Sequence, residues 1–95
     1  MDGLTNAMME MARDAESKHG DEWAILLEPN VGQSASPIYG YADGEMWQTP
    51  YRQETSDAAE DTALDGMCGL VVISSYWDDD EQEFVASASE IENDA

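Results

Sequence analysis

The stretch Ile38-Tyr39-Gly40-Tyr41-Ala42-Asp43-Gly44-Glu45-Met46-Trp47-Gln48 decides how this chain folds. An Asp-Gly pair supplies the positive φ angles that a two-residue type I′ turn needs, and the residues on either side then pair as strands. Ser36 to Ala42 and Glu45 to Pro50 therefore form a hairpin around Asp43-Gly44. The turn sets the register, with Tyr41 facing Met46, Gly40 facing Trp47 and Tyr39 facing Gln48. Strand alternation puts Tyr39, Tyr41 and Met46 on one face, and Ile38 and Trp47 on the other. Trp47 opposite Gly40 covers bare glycine backbone, which stabilises sheets.

Upstream, Glu22 to Glu28 contains the short apolar run Trp23-Ala24-Ile25-Leu26-Leu27, closed by Pro29-Asn30. Such a run suits a central strand covered on both faces. A loop follows from Val31 to Ser36. Nearer the N-terminus, Leu4, Ala7, Met8, Met11, Ala12 and Ala15 recur at helical spacing, with Asp2 as N-cap and Gly20 as stop. Lys18 and His19 complement the dipole in the last turn. Met8 and Met11 read as core filler, and Glu10, Asp14 and Glu16 face outward.

Downstream, Thr55 to Met67 reads as a second helix with Ser56 as N-cap, Asp57 and Glu60 near its start, and Ala59, Ala63 and Met67 as a thin seam beside Leu64. Gly69 to Trp77 is a strand built on Leu70-Val71-Val72-Ile73. Asp78 to Gln82 forms an acidic turn. Glu83 to Ser89 returns with Phe84, Ala86 and Ala88 on one face, and residues 90–95 read as a frayed acidic tail in which Ile91 alone could dock. The order α-β-β-β-α-β-β over a single domain, 1–95, predicts an α+β fold. Its expected form is an antiparallel sheet of about five strands with two helices packed on one face.

The chain has 95 residues, with 22 Asp and Glu against 3 Lys and Arg, a formal charge of −19. Phosphate contacts are made by Lys and Arg, so direct nucleic-acid binding is excluded, and so is attachment to an anionic membrane. Arg13, Lys18 and Arg52 are too scattered to form a patch. A hydrophobic share of 42%, with three Trp, four Tyr and six Met, argues for a folded core rather than a disordered acidic tail. Cys68 stands alone, which fits a reducing, cytoplasmic setting. The first residues lack a signal-peptide pattern, and no apolar run approaches the roughly 20 residues of a membrane span.

Catalytic chemistry finds little support. His19 is the sole histidine and reads as a surface or capping residue at a helix end. Cys68 has no activating neighbour and reads as a buried structural thiol. One His and one Cys cannot build a zinc centre. Aligned as a calcium loop, the run from Asp78 places Glu83 and Ser89 where Gly and Glu are needed. A phosphate-cradling glycine motif is absent. No enzyme activity, metal or cofactor is expected.

What remains is surface. Asp57, Asp61 and Asp65 align along one side of the second helix, rising about 6 Å per step. Phosphates advance about 3.4 Å per nucleotide along a strand, so the stripe matches the density of alternate phosphates. With Glu60, and with Asp78, Asp79, Asp80 and Glu81 in the turn, it forms the expected partner-binding surface. Trp77 beside the turn is the expected exposed anchor, since interface hot spots favour Trp and Tyr. Tyr39, Tyr41, Trp47, Tyr51, Tyr76 and Trp77 are more aromatics than one sheet face buries, which also leaves room for a homodimer interface.

In size, charge and acidic helix face, the chain resembles the small DNA mimics of phages and mobile elements, among them anti-CRISPR and anti-restriction proteins and inhibitors of uracil-DNA glycosylase. That resemblance implies stoichiometric inhibition in the host cytoplasm. The protein would fill the Lys/Arg-lined groove of a nucleic-acid-binding target such as a CRISPR effector complex. Two other readings stay open: a small salt-adapted domain, and an acidic chaperone or adaptor for a basic protein.

Overall fold

The computed structural model describes residues 6–33, 35–42, 44–49 and 56–93. Helix α1 (Asn6–His19) leads through a 3₁₀ turn (Gly20–Glu22) into strand β1 (Trp23–Glu28). The hairpin of β2 (Tyr39–Ala42) and β3 (Glu45–Gln48), helix α2 (Ser56–Leu64), and the hairpin of β4 (Gly69–Asp78) and β5 (Glu83–Glu92) follow. Among the described residues, no helix is long and apolar enough to cross a membrane. Asp2, Leu4, Asp43 and Thr55, to which the sequence assigns a cap, a core position, a turn and a helix start, lie outside the described residues, as does the Ser56 side chain.

The five strands form one sheet in the order β3-β2-β1-β4-β5. The β2–β3 register pairs Tyr39 with Gln48, Gly40 with Trp47 and Tyr41 with Met46, as the Asp-Gly turn predicts. The sheet is mixed, which corrects the expectation of a wholly antiparallel one: β1 and β4 run parallel, from Trp23 opposite Gly69 to Glu28 opposite Ser74. The cause lies in the number of reversals. β2 returns antiparallel to β1 and β3 returns again. The descent after β3 is made by α2, outside the sheet, so β4 sets off in the direction of β1. A parallel pair needs such a crossover, usually a helix.

The helices also lie on opposite faces of the sheet rather than on one. Ile25, Leu27, Val71 and Ile73 pack with Met8 and Ala15 of α1 and with Tyr39. Ala24, Leu26, Leu70 and Val72 pack with Ala59 and Ala63 of α2 and with Ile38. A continuous apolar run buries alternate residues on the two sides of its strand. Cover on a single face would leave Ala24, Leu26, Leu70 and Val72, or their neighbours, in water. The three-layer arrangement follows from the β1 and β4 sequences themselves.

Two glycines lie under tryptophan rings. A Cβ at Gly40 would clash with the Trp47 ring, and one at Gly69 would sit 2.6 Å from Trp23 Cε2. The first close approach is legible in the hairpin. The second pairs residues from the first and last thirds of the chain and depends on the parallel register.

The C-terminal segment is strand rather than frayed tail through Glu92, because Ile91 pairs with Leu70 and packs in the α2-side core. Asn93 then closes the end of α2. Its amide nitrogen Nδ2 donates to Leu64 O at 3.2 Å and Met67 O at 3.0 Å, and its backbone N–H donates to Cys68 O at 3.0 Å. Leu64 O also accepts the Met67 N–H at 2.9 Å, so these bonds tie the turn that follows α2 to the end of β5. Asn93→Ala is expected to lower stability by about 1 kcal/mol, read as a shift of the urea midpoint with unchanged m-value.

Candidate functional site

The acidic residues of the expected surface occupy two places. Asp57, Glu60 and Asp61 ride on α2, with Asp57 and Asp61 exposed and Glu60 half-buried. Asp65 falls beyond the helix. α2 stops at Leu64 rather than Met67, and Gly66 at φ +78° ends it in the left-handed conformation. The regular 6 Å spacing therefore joins Asp57 to Asp61 but does not extend to Asp65. Asp65 lies at the end of α2 held by Asn93, near the start of β1, where Cys68 N–H bonds Glu22 O at 2.7 Å.

The start of α2 lies at the other end of the sheet, where β1 and the parallel stretch of β4 finish. Glu60 is raised above its ordinary carboxylate pKa, first by burial and then by the negative charges of Glu28, Asp57 and Asp61. Glu28, the last residue of β1, is itself buried. Its Oε2 accepts a bond from the Ser74 hydroxyl at 3.5 Å, while Oε1 is buried without a hydrogen-bond partner. Sequence reasoning passed over Glu28. The available signal was its phase, since Ala24, Leu26 and Glu28 alternate toward the α2 side.

The second group is the tip of the β4–β5 hairpin. Asp78 stands four positions past Ser74, or about 13 Å farther along the strand. Asp78 Oδ1 accepts the backbone N–H groups of Asp80 at 3.0 Å and Glu81 at 3.4 Å, and Gln82 Nε2 donates to Asp79 O at 3.1 Å. These bonds hold Asp79, Asp80 and Glu81 exposed in a defined turn. Trp77 is 48% exposed and meets Phe84 edge-on, with ring centres 5.1 Å apart. The structure thus sets Asp57, Glu60 and Asp61 together, sets Trp77 with Asp78, Asp79, Asp80 and Glu81, and leaves Asp65 apart from both.

Among the described residues, which do not include Arg52, the cations Arg13 and Lys18 lie elsewhere, on α1. Lys18 Nζ and His19 Nε2 bond the Glu90 carboxylate at 3.1 and 2.8 Å, and His19 stacks on Trp23 with ring centres 3.9 Å apart. The hydrogen bonds from His19 and Lys18 hold Glu90 below the usual carboxylate range. His19 thus joins α1 to β1 and β5. Cys68 is exposed, which corrects its reading as buried. It sits in the bend between Gly66 and β4, before the alternation of that strand begins.

Among the described residues, no three His, Cys, Asp or Glu side chains are grouped to hold a metal ion. A groove of about 230 Å³ runs between α1 and the β2–β3 hairpin, lined chiefly by Met9, Ala12, Arg13, Tyr39, Tyr41 and Met46. It is smaller than the roughly 300–1,000 Å³ of ordinary ligand pockets.

No protein-family model, curated protein or solved structure matches this chain.

Proposed function

We propose that this protein is an acidic decoy for nucleic acid, filling the Lys/Arg-lined groove of a nucleic-acid-binding target such as a CRISPR effector complex in the cytoplasm of a host cell. Among the described residues, the larger gathering of acid, at the end of the sheet where β1 finishes, carries this reading, with Asp21, Glu22, Asp65 and Glu92 at the opposite end. Asp57, Glu60 and Asp61 stand around the finish of β1 and of its parallel stretch with β4, and the Asp78–Glu81 turn extends the display outward. Between Gln53 and Ala95 the sequence contains no Lys or Arg to neutralise it. Opposite charge steers association and is weakened by salt. The phage-type anti-CRISPR class, with no catalytic role, fits this behaviour.

The decisive experiment is capture of the target from a host lysate, followed by competition with the target's own nucleic acid. Mutual displacement is expected, with affinity falling at least about tenfold between 50 and 500 mM salt. The double variant Asp57→Lys/Asp61→Lys is expected to weaken binding by about a hundredfold, whereas Asp65→Lys, at the far end of α2, leaves it nearly unchanged. Simultaneous binding of decoy and nucleic acid would rule out occlusion. The presence of a single Lys, Lys18, keeps salt adaptation as a second reading. A chain that folds only in molar salt would favour it.

A further inference from the structure

We infer that the outer part of the β4–β5 ribbon anchors this interface, and that the partner's groove carries base-stacking side chains among its cations, as grooves for single-stranded nucleic acid do. The inference rests on the decoy reading and identifies the kind of groove. β1 accompanies β4 only as far as Ser74, and the backbone N–H of Val31 reaches Ser75 O at 2.8 Å. From Tyr76 to Asp78, and from Glu83 to Val85, the two strands continue with each other alone as ladder partners.

This ribbon holds three of the five exposed large hydrophobic residues among those described: Tyr76, Trp77 and Phe84, at 47%, 48% and 43% exposure. Trp77 and Phe84 are register partners on the α1 side, while Tyr76 faces the α2 side opposite Val85. Around them stand Asp78, Asp79, Asp80, Glu81 and Glu83. A second copy of the chain is a poor occupant, because it would set these five carboxylates against five more. A basic partner is complementary. A groove that reads only a phosphate track has no use for the rings. Single-strand grooves combine cations with aromatic platforms on which bases stack, and the ribbon offers both a π face and negative charge.

The test uses the full chain and two peptides of equal charge, Lys-Tyr-Lys-Tyr-Lys and Lys-Ala-Lys-Ala-Lys, titrated at low salt while the indole N–H resonance of Trp77 is followed. The tyrosine peptide is expected to bind at least about fivefold more tightly and to move that resonance. Trp77→Ala and Phe84→Ala should each erase the preference while leaving affinity for the alanine peptide unchanged, and Trp77→Phe should keep most of it. Circular dichroism checks that the variants fold, and the wild-type preference decides the matter should they not. Equal affinities, a preference that survives both alanine variants, or a dimer dissolved by Trp77→Ala would each overturn the anchor. Equal binding of the two peptides removes the anchor alone, whereas failure of both to bind at low salt removes the decoy reading as well.

Discussion

Gly69→Ala is expected to cost about 2–3 kcal/mol of stability, a large share of what a domain of this size possesses. The added Cβ would stand 2.6 Å from Trp23 Cε2 and 2.7 Å from two further ring atoms. The indole cannot retreat freely, because its other face stacks on His19 at 3.9 Å and His19 is tied to Glu90. Relief therefore requires movement of β4 against β1, at the pair that begins their parallel register. Urea denaturation followed by circular dichroism measures the loss. The cause is separable by a double-mutant cycle. Trp23→Ala destabilises on its own, but Gly69→Ala added to it should cost much less than in the wild type. Additive costs would falsify the steric account.

Glu28→Gln is expected to act in the opposite direction, stabilising the fold at neutral pH by up to about 1 kcal/mol. The buried carboxylate has one oxygen without a hydrogen-bond partner and faces the charge of Glu60. Glutamine keeps the shape and can still accept from Ser74, and its amide nitrogen replaces the unpartnered oxygen, so the gain comes from the lost charge alone. The pH dependence adds a signature. The folded-state pKa of Glu60 is raised above 4.5, so between 4.5 and that raised value the folded state binds more protons than the unfolded state. Stability then falls as pH rises through this window and recovers on acidification toward 4.5. Removing the Glu28 charge removes one cause of the shift, so the advantage of the variant should be widest at pH 7 and shrink toward pH 4.5. Chemical denaturation of both proteins across that range checks it, and a constant or absent advantage would show that Glu28 is no liability.

Much of the fold was legible where the controlling forces are local. The hairpin register follows from Asp43-Gly44, and the two-sided burial of β1 follows from its apolar run. The parallel pairing was not legible, because strand direction depends on counting reversals across the whole chain, including one made by a helix outside the sheet. An amphipathic stripe likewise says that α1 and α2 each bury a face, but not which side of the sheet receives it. Ile91 shows how a lone apolar residue in an acidic tail gains meaning only from its partner, Leu70.

For the surface, helical spacing located Asp57 and Asp61. It carried too far at Asp65, where Gly66 ends the helix. The exposure of Trp77 was foreseen from its place beside the turn. Its contact with Phe84 depends on the β4–β5 register.

The placement of β1 in the middle of the sheet also governs when the fold can form. During synthesis, β1 and the β2–β3 hairpin leave the ribosome well before Gly69, and until then the edge of β1 that receives β4 is open. The most apolar strand of the protein thus waits, half paired, for a partner some 46 positions later (Trp23 to Gly69). Such distant pairing slows folding and leaves an edge open to other chains in the interval. The dense negative charge borne by the same nascent chain keeps neighbouring copies apart during that wait, so the acidity serves the chain before it has a finished shape.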